Sequence, residues 1–327
     1  MAPKIVVVGS ANTDFVLTVP ALPSHGETVL GEQFRVVQGG KGANQAVAAA
    51  RLGADVTLVA RLGTDSFGDE SLAAYRQEGI HTDFVVQDPD IHSGVALIMV
   101  NAQGENLIGV GPGANSHLSV ENVQSATTAI QEADCLLLQL EVPLGVVQAA
   151  VEIARRNGIK VILNPAPARK IPQEILEGVD FLTPNETEAA ILAGKNASDL
   201  GSDSLPALAS ILGVPHLVVT LGSRGACILQ NGQSTMVSPF SVKPVDTTAS
   251  GDAFNGALAV ALARGQSLPQ AVRYANAAGA ITATRPGAQP SLPTREELDQ
   301  FMVSSAPGSN PAVPDAVDSF DQAGTPS

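Results

Sequence analysis

Short apolar runs alternate with Ala-rich segments along most of the chain. "KIVVVG" (4–9), "DVTLVARLG" (55–63), "DCLLLQL" (134–140), "KVILN" (160–164), "DFLTP" (180–184) and "HLVVTLG" (216–222) read as buried strands. Runs this short and this apolar suit strands covered on both faces. Between them, "GANQAVAAARLG" (42–53), "PLGVVQAAVEIARRNG" (143–158) and "ETEAAILAG" (186–194) have helical character. The alternation predicts an α/β fold with a mainly parallel central sheet between two helical layers. Late in the chain the pattern changes to consecutive helices, at 253–265 and 267–287.

Two segments break the alternation. Residues 14–40 read as short strands, and residues 93–115 as a hairpin turning near "AQGE". They fit either a peripheral sheet extension or a small lid over a pocket. A lid would exclude water from a reaction, and its apolar face would favour dimerisation. The last stretch, 304–327, is rich in Pro, Ser, Gly and Asp and has no Lys or Arg. It is expected to be disordered, which leaves residues 1–303 as the folded domain.

Composition narrows the partners. With 327 residues, 44% of them hydrophobic, the chain can bury a large core. A net charge of −14, 3% aromatics and no Trp argue against nucleic acid and anionic membrane. Cys135 and Cys227 lie in apolar runs and read as reduced core residues. The N-terminal apolar run is too short for a signal peptide, and no run approaches the roughly 18 apolar residues of a membrane span. The expected location is the cytoplasm.

Two common phosphate motifs are excluded. In "QGGKGAN" (38–44) Lys41 is followed by Gly42 rather than Ser or Thr, so it is no Walker loop. The first strand runs into "GSANTD" rather than G-x-G-x-x-G, which weakens a dinucleotide reading. Four stretches at strand ends or helix starts remain: "GSANTDF" with Asn12 and Asp14, "GGKGAN" with Lys41 and Asn44, "LQLEVP" with Glu141, and "DTTASGDAFNGAL" (246–258) with Asp252. Ligands of open α/β sheets bind outside the carboxyl ends of strands. Amides, carboxylates and one ammonium suit a neutral polyhydroxylated ligand. A second group, "TPNETE" (183–188) and "TLGSRGA" (220–226), suits a nucleotide, although a hairpin turn explains the latter as well. Asp252 by itself reads as helix capping more readily than as catalysis.

The stretches "GGKGANQAVAAARLGADVTLVARLGTDSFG" (39–68) and "DTTASGDAFNGAL", with "NPAPAR" (164–169), "TPNETEA", "TLGSRG" and "TRPGAQPS" (284–291), resemble the ribokinase-like (PfkB-type) carbohydrate kinase family over residues 4 to about 303. The resemblance implies a three-layer α/β domain with a small β-sheet lid, formed by about 14–40 and 93–115, that also makes a homodimer contact. It implies transfer of the ATP γ-phosphoryl to the 5-hydroxyl of D-ribose, with Mg2+ and K+ as cofactors. Carried over by motif, Asn12, Asp14, Gly40, Lys41, Asn44 and Glu141 would hold the sugar and Asp252 would be the base. Ala249, Ser250 and Gly251 would form an anion hole. Asn185, the turn Thr220, Leu221, Gly222, Ser223, Arg224 and Gly225, and Asn276 would contact the nucleotide. Glu188 would place Mg2+ through water. Asp246, Thr248, Thr282, Arg285, Gly287 and Ser291 would build a potassium site, mostly from backbone carbonyls. Ser250 replaces the commoner Ala or Gly, and Asn276 stands where some members have His. A sibling kinase for another sugar, a nucleoside or a sugar phosphate is the alternative, and a non-catalytic sugar-binding protein is a third reading. The absence of Lys and Arg from 14–30 and 94–111 speaks against a sugar phosphate.

Overall fold

In the first strand, β1 (Lys4–Val8), Ile5 and Val7 face one core layer while Val6 and Val8 face the other. The two-residue period of a strand produces this split. It recurs at 135–138, where Cys135 and Leu137 oppose Leu136 and Leu138. Both faces are covered, which is why these runs are apolar throughout.

The computed structural model describes residues 1–101, 103, 105–194 and 205–305. After β1 come β2 (Asn12–Thr18), β3 (Gln33–Gly39), α1 (Lys41–Arg51), β4 (Asp55–Gly63), α2 (Ser66–Gln77), β5 (His81–Asp88), β6 (Gly94–Val100) and β7 (Asn106–Gly111). The middle of the chain forms α3 (Val120–Ser125), α4 (Thr127–Gln131), β8 (Cys135–Leu138), α5 (Leu144–Arg156), β9 (Lys160–Leu163), α6 (Gln173–Leu176), β10 (Phe181–Leu182) and α7 (Glu186–Leu192). The remainder forms α8 (Leu205–Leu212), β11 (His216–Thr220), β12 (Ala226–Gln230), β13 (Gln233–Val237), α9 (Ser250–Ala263), α10 (Leu268–Ala283) and α11 (Arg295–Ser304).

The large sheet has the order β13-β12-β11-β10-β9-β8-β1-β4-β5. It is parallel from β11 to β5, with β12 and β13 antiparallel at one edge. Helices α1, α9, α10 and α11 pack on one face, and α3 to α8 on the other. The Ala-rich composition has its reason here. Helix α9 is buried along almost its whole length, and a Cβ on Gly256 would come within 2.7 Å of the Ala48 Cβ in α1. Only small residues allow helices to approach this closely.

The segments that broke the alternation form a separate sheet, β3-β2-β6-β7. Its hairpin, β6–β7, is antiparallel, with Val100 paired to Asn106 at the closed end; Ala102 and Gly104 of the expected turn lie outside the described residues. The structure adds three strands to the sequence reading. Of these, the β12–β13 hairpin carried a legible signal, Asn231-Gly232, with φ of 52° and 72°, the preferred pair for a two-residue turn. Strand β5 carried none, because its residues are mostly half-exposed and lack a clear period. Helix α10 stops at Ala283 rather than 287, where the N–H groups of Val245 and Asp246 take the Ala283 carbonyl. Ser304 ends α11 and Ser305 caps it, so the fold reaches two residues past the expected boundary. The rest of the expected disordered tail lies outside the described residues. Cys135 and Cys227 are free and buried. Among the described residues, no helix is long and apolar enough to cross a membrane.

Candidate active site

Helix α9 begins abruptly. Ala249 takes a left-handed conformation, φ 59° and ψ 6°, immediately before it, a conformation that costs a non-glycine residue roughly 1–2 kcal/mol. The Ser250 N–H donates back to the Thr247 carbonyl at 3.2 Å. The next two N–H groups, of Gly251 and Asp252, belong to the first helical turn and have no preceding turn to bond. Gly251 is exposed, and a Cβ there would meet nothing within 4 Å. An anion therefore has access to the positive end of α9.

The Asp252 carboxylate is buried. Its Oδ2 accepts from Asn44 Nδ2 at 2.9 Å and its Oδ1 from Gln45 Nε2 at 3.0 Å. Burial raises its pKa above the ordinary value, against the opposing pull of Lys41, Asn44 and Gln45 and with help from Glu141.

Glycines bring the sugar-type residues to this carboxylate. Gly40, at φ 86°, links β3 to α1, and a Cβ there would stand 2.6 Å from the Asn12 nitrogen. No side chain fits between these two backbones. Helix α1 then starts at Lys41, whose backbone N–H donates to Glu141 Oε2 at 3.0 Å. Ser10 Oγ donates to the same oxygen at 2.5 Å. Asn12 Oδ1 accepts from Asn115 Nδ2 at 2.7 Å. Asp14 and Asn44 are buried, and each has an oxygen, Oδ1, without a partner. Burial, with Glu141 and Asp252 nearby, raises the Asp14 pKa to about 7 despite Lys41. Burial also opposes the charge on Lys41, but Asp252, Glu141, Glu188 and Asp14 outweigh it and hold its pKa above the ordinary value. Buried acceptors without donors call for a ligand that brings hydroxyl groups. The structure thus brings Asn12, Asp14, Gly40, Lys41, Asn44, Glu141 and Asp252 into one neighbourhood.

Beside it, a cleft of about 700 Å3 opens on the other side of Ser250 and Gly251. Asn185, Thr220, Gly222, Ser223, Gly225, Gly251 and Asn276, all among the expected nucleotide contacts, line it. Leu221 and Arg224 do not. Leu221 is buried, and the Arg224 guanidinium forms an ion pair with Glu186. Asn276 Nδ2 is bonded to the carbonyls of Val237 and Ser238, at 3.3 and 3.2 Å. Asn185 caps α7 in a reciprocal pair with Glu188: the Glu188 N–H donates to Asn185 Oδ1 and the Asn185 N–H to Glu188 Oε2, both at 2.8 Å. Burial raises the Glu188 pKa, against the Asn185 N–H and Lys41, with Asp252 adding to the rise.

Of the expected potassium residues, Asp246, Thr248 and Gly287 are joined by hydrogen bonds. Asp246 Oδ1 accepts from the Thr248 N–H at 2.9 Å and Oδ2 from the Gly287 N–H at 2.8 Å. Burial works against its charge, but Thr248, Gly287 and Arg35 prevail and hold its pKa below the ordinary value. The side chains of Thr282, Arg285 and Ser291 are engaged elsewhere, on the Ala278 carbonyl, Glu297 and the Ala288 carbonyl. Backbone carbonyls and one carboxylate are the donors left at this junction.

Sequence reasoning missed Gln45, Gln139, Asn164 and Asn115, which support the polar pocket, and the apolar cleft wall of Pro239, Phe240, Val242 and Phe254. Gln45 and Phe254 sit inside quoted motifs, but Pro239, Phe240 and Val242 come from an irregular segment without a period.

Residues 2–295 match a family described as pfkB family carbohydrate kinase. Ribokinase of Haemophilus influenzae is 44% identical over 305 residues, covering 92% of this chain and 99% of that protein. The solved ribokinase of Thermotoga maritima aligns with a TM-score of 0.83 and 38% identity, over 92% of this chain and 99% of that one. Arabidopsis thaliana ribokinase complexed with ribose and ATP aligns with a TM-score of 0.83 and 33% identity, over 92% and 99%. The chain belongs to the pfkB family of carbohydrate kinases.

Proposed function

We propose that this enzyme transfers the γ-phosphoryl group of ATP to the 5-hydroxyl of D-ribose, giving D-ribose 5-phosphate and ADP, with Asp252 as the base. One observation carries the reading. The buried Asp252 carboxylate lies at the start of α9, between a pocket of unpartnered polar groups and a nucleotide-sized cleft. Similarity to ribokinases along nearly the whole chain supports the substrates.

Phosphoryl transfer asks chiefly for positioning and charge stabilisation. Asn12, Asp14, Lys41, Asn44 and Glu141 would fix the sugar by its other hydroxyls, leaving the 5-hydroxyl against Asp252. Asp252 orients that hydroxyl and takes its proton as the new P–O bond forms and the bond to the ADP oxygen breaks. The N–H groups of Gly251 and Asp252 hold the charge on the transferring group, the Ser250 N–H being bonded to the Thr247 carbonyl. The Ser250 hydroxyl is buried without a partner, which suits a phosphate oxygen beside it.

Glu188 fits a water-mediated hold on Mg2+, since only its Oε2 is used in the cap. Mg2+ supplies charge neutralisation across the phosphate oxygens when bound. The carbonyls around Asp246, Thr248, Thr282, Arg285, Gly287 and Ser291 fit K+, a hard cation that would firm the loop leading into the anion hole. The small sheet is the proposed lid of the domain spanning 1–303. By register, Phe34, Val36, Leu97 and Leu107 share its face opposite Asp14, and all four are exposed. That face suits a homodimer contact. Leu97→Glu combined with Leu107→Glu is expected to halve the mass measured by sedimentation; a wild-type monomer would refute the contact. Unpaired buried cysteines suit a reducing compartment, and we assign the reaction to the cytoplasm.

The reading is tested by ADP release from ATP and Mg2+ with ribose, fructose, adenosine or fructose 6-phosphate, in K+ or Na+. Ribose-dependent release stimulated by K+ is expected. Release with another acceptor alone would move the substrate, and release with none would refute the kinase.

A further inference from the structure

We propose that Gln45 is a positioning residue for Asp252, its side-chain amide locked by Asn164 and Gln139 so that it offers one N–H to carboxylate oxygen Oδ1. The proposal rests on Asp252 being the base.

The lock follows from which groups can only accept. The Thr183 backbone carbonyl can only accept, so Asn164 must turn Nδ2 toward it, at 3.0 Å. The Asn164 Oδ1 is then left to face Gln45 and accepts from Gln45 Nε2 at 3.1 Å. On its other side, Gln139 Nε2 donates to Gln45 Oε1 at 2.6 Å. Asn164 therefore demands this orientation of the Gln45 amide, and Gln139, whose own Oε1 has no partner, completes it. Its second N–H points at Asp252 Oδ1, 3.0 Å away. Gln45 and Gln139 are fully buried and Asn164 nearly so. Burial keeps bulk solvent away from the three amides, and a flipped Gln45 would set its oxygen against Asn164 Oδ1. The register of the fold supplies this chain: Gln45 comes from α1, Gln139 from just past β8, Asn164 from just past β9.

The consequence concerns the charge state of the base. Burial favours protonated Asp252, which cannot accept the substrate proton. Glu141, Asp14 and Glu188 also surround it with negative charge, and Lys41 is the facing cation. The amides of Asn44 and Gln45 stabilise the ionised form. Asn44 is itself a sugar contact in the proposed mechanism. Gln45 contacts only protein, and it holds the carboxylate whether or not the sugar is present.

Gln45→Met keeps the length of the side chain and removes its polar atoms. At saturating sugar and ATP, its single-turnover rate near neutral pH should fall roughly tenfold to hundredfold. The acid limb of that rate should move up by about one to two pH units, with the rate recovering at high pH. Sugar affinity should change far less than the rate. Gln139→Met should move the limb in the same direction by less. An unmoved limb in Gln45→Met overturns the proposal, including the case of a loss that is equal at all pH values, which marks a purely structural role. If Gln45→Met does not fold, an unmoved limb in Gln139→Met overturns it instead. Asp252→Asn is measured in parallel. A wild-type rate there refutes the base itself, whereas an inactive Asp252→Asn beside a wild-type Gln45→Met limb refutes only the positioning role.

Discussion

Asp252→Asn is expected to lower turnover by roughly 10²–10⁴-fold while the sugar still binds. The substitution is nearly isosteric, and the Asn side chain can accept one of the two amide donors now on the carboxylate, from Asn44 and Gln45. The other donor then faces the new NH2 group. The pocket keeps its shape and its remaining sugar contacts, but the substituted group cannot accept the 5-hydroxyl proton. Residual turnover would come from the N–H groups at the start of α9 and from orientation alone. Calorimetry for ribose binding, set beside single-turnover rates, checks both halves. A variant with wild-type turnover would refute the base assignment, and one that no longer bound sugar would show the carboxylate to be chiefly a binding group.

Asp14 should make ribose binding tighten as pH rises through about 7. Its carboxyl is buried, lacks a partner at Oδ1, and has its pKa raised to about 7 in the sugar-free protein. Sugar hydroxyls donating to the carboxylate favour the ionised form. Binding below pH 7 must therefore release a proton, and affinity should fall there. Calorimetry at pH 6.5 in buffers of different ionisation enthalpy reads that proton directly. Asp14→Asn should abolish the pH dependence and weaken binding at pH 8 by at least roughly tenfold, the loss of one charge-assisted hydrogen bond.

The same group has an opposite effect on stability. Its folded pKa, about 7, lies above the unfolded value of 3.8. The native state thus holds the proton more tightly, and stability falls as pH rises from about 4 to 7, by about 4 kcal/mol as an order of magnitude. Sugar-free Asp14→Asn should then unfold at higher temperature than the parent at pH 8 and show little gain at pH 4. Equal changes at both pH values would mean that Asp14 is already ionised and paired in the empty site. A site that destabilises its own fold until the sugar arrives is a common cost of function.

The sequence alone determined the layers and named most of the candidate site residues. Continuous apolar runs such as 135–138 fit strands covered on both faces, because a solvated face would require alternation. The alternation with helices then demands parallel order. Asp252 and the residues of "GGKGAN" were legible because helix starts and glycine turns have local residue requirements. Only the tertiary structure decided how these pieces meet. Asn12 and Asp14 reach Asp252 because Gly40 lets β3 pass within bonding distance of the β1–β2 link, a contact between segments nearly thirty residues apart. Gln45 reads in the sequence as one more position of an Ala-rich helix. Its role appears only when Gln139 and Asn164 arrive from two other strand ends and fix its amide. The apolar wall of the cleft, Phe240 and Val242, lies in an irregular segment that no periodicity marks. Local rules reach as far as one turn or one strand; the orientation of the Asp252 carboxylate is a property of residues that only packing brings together.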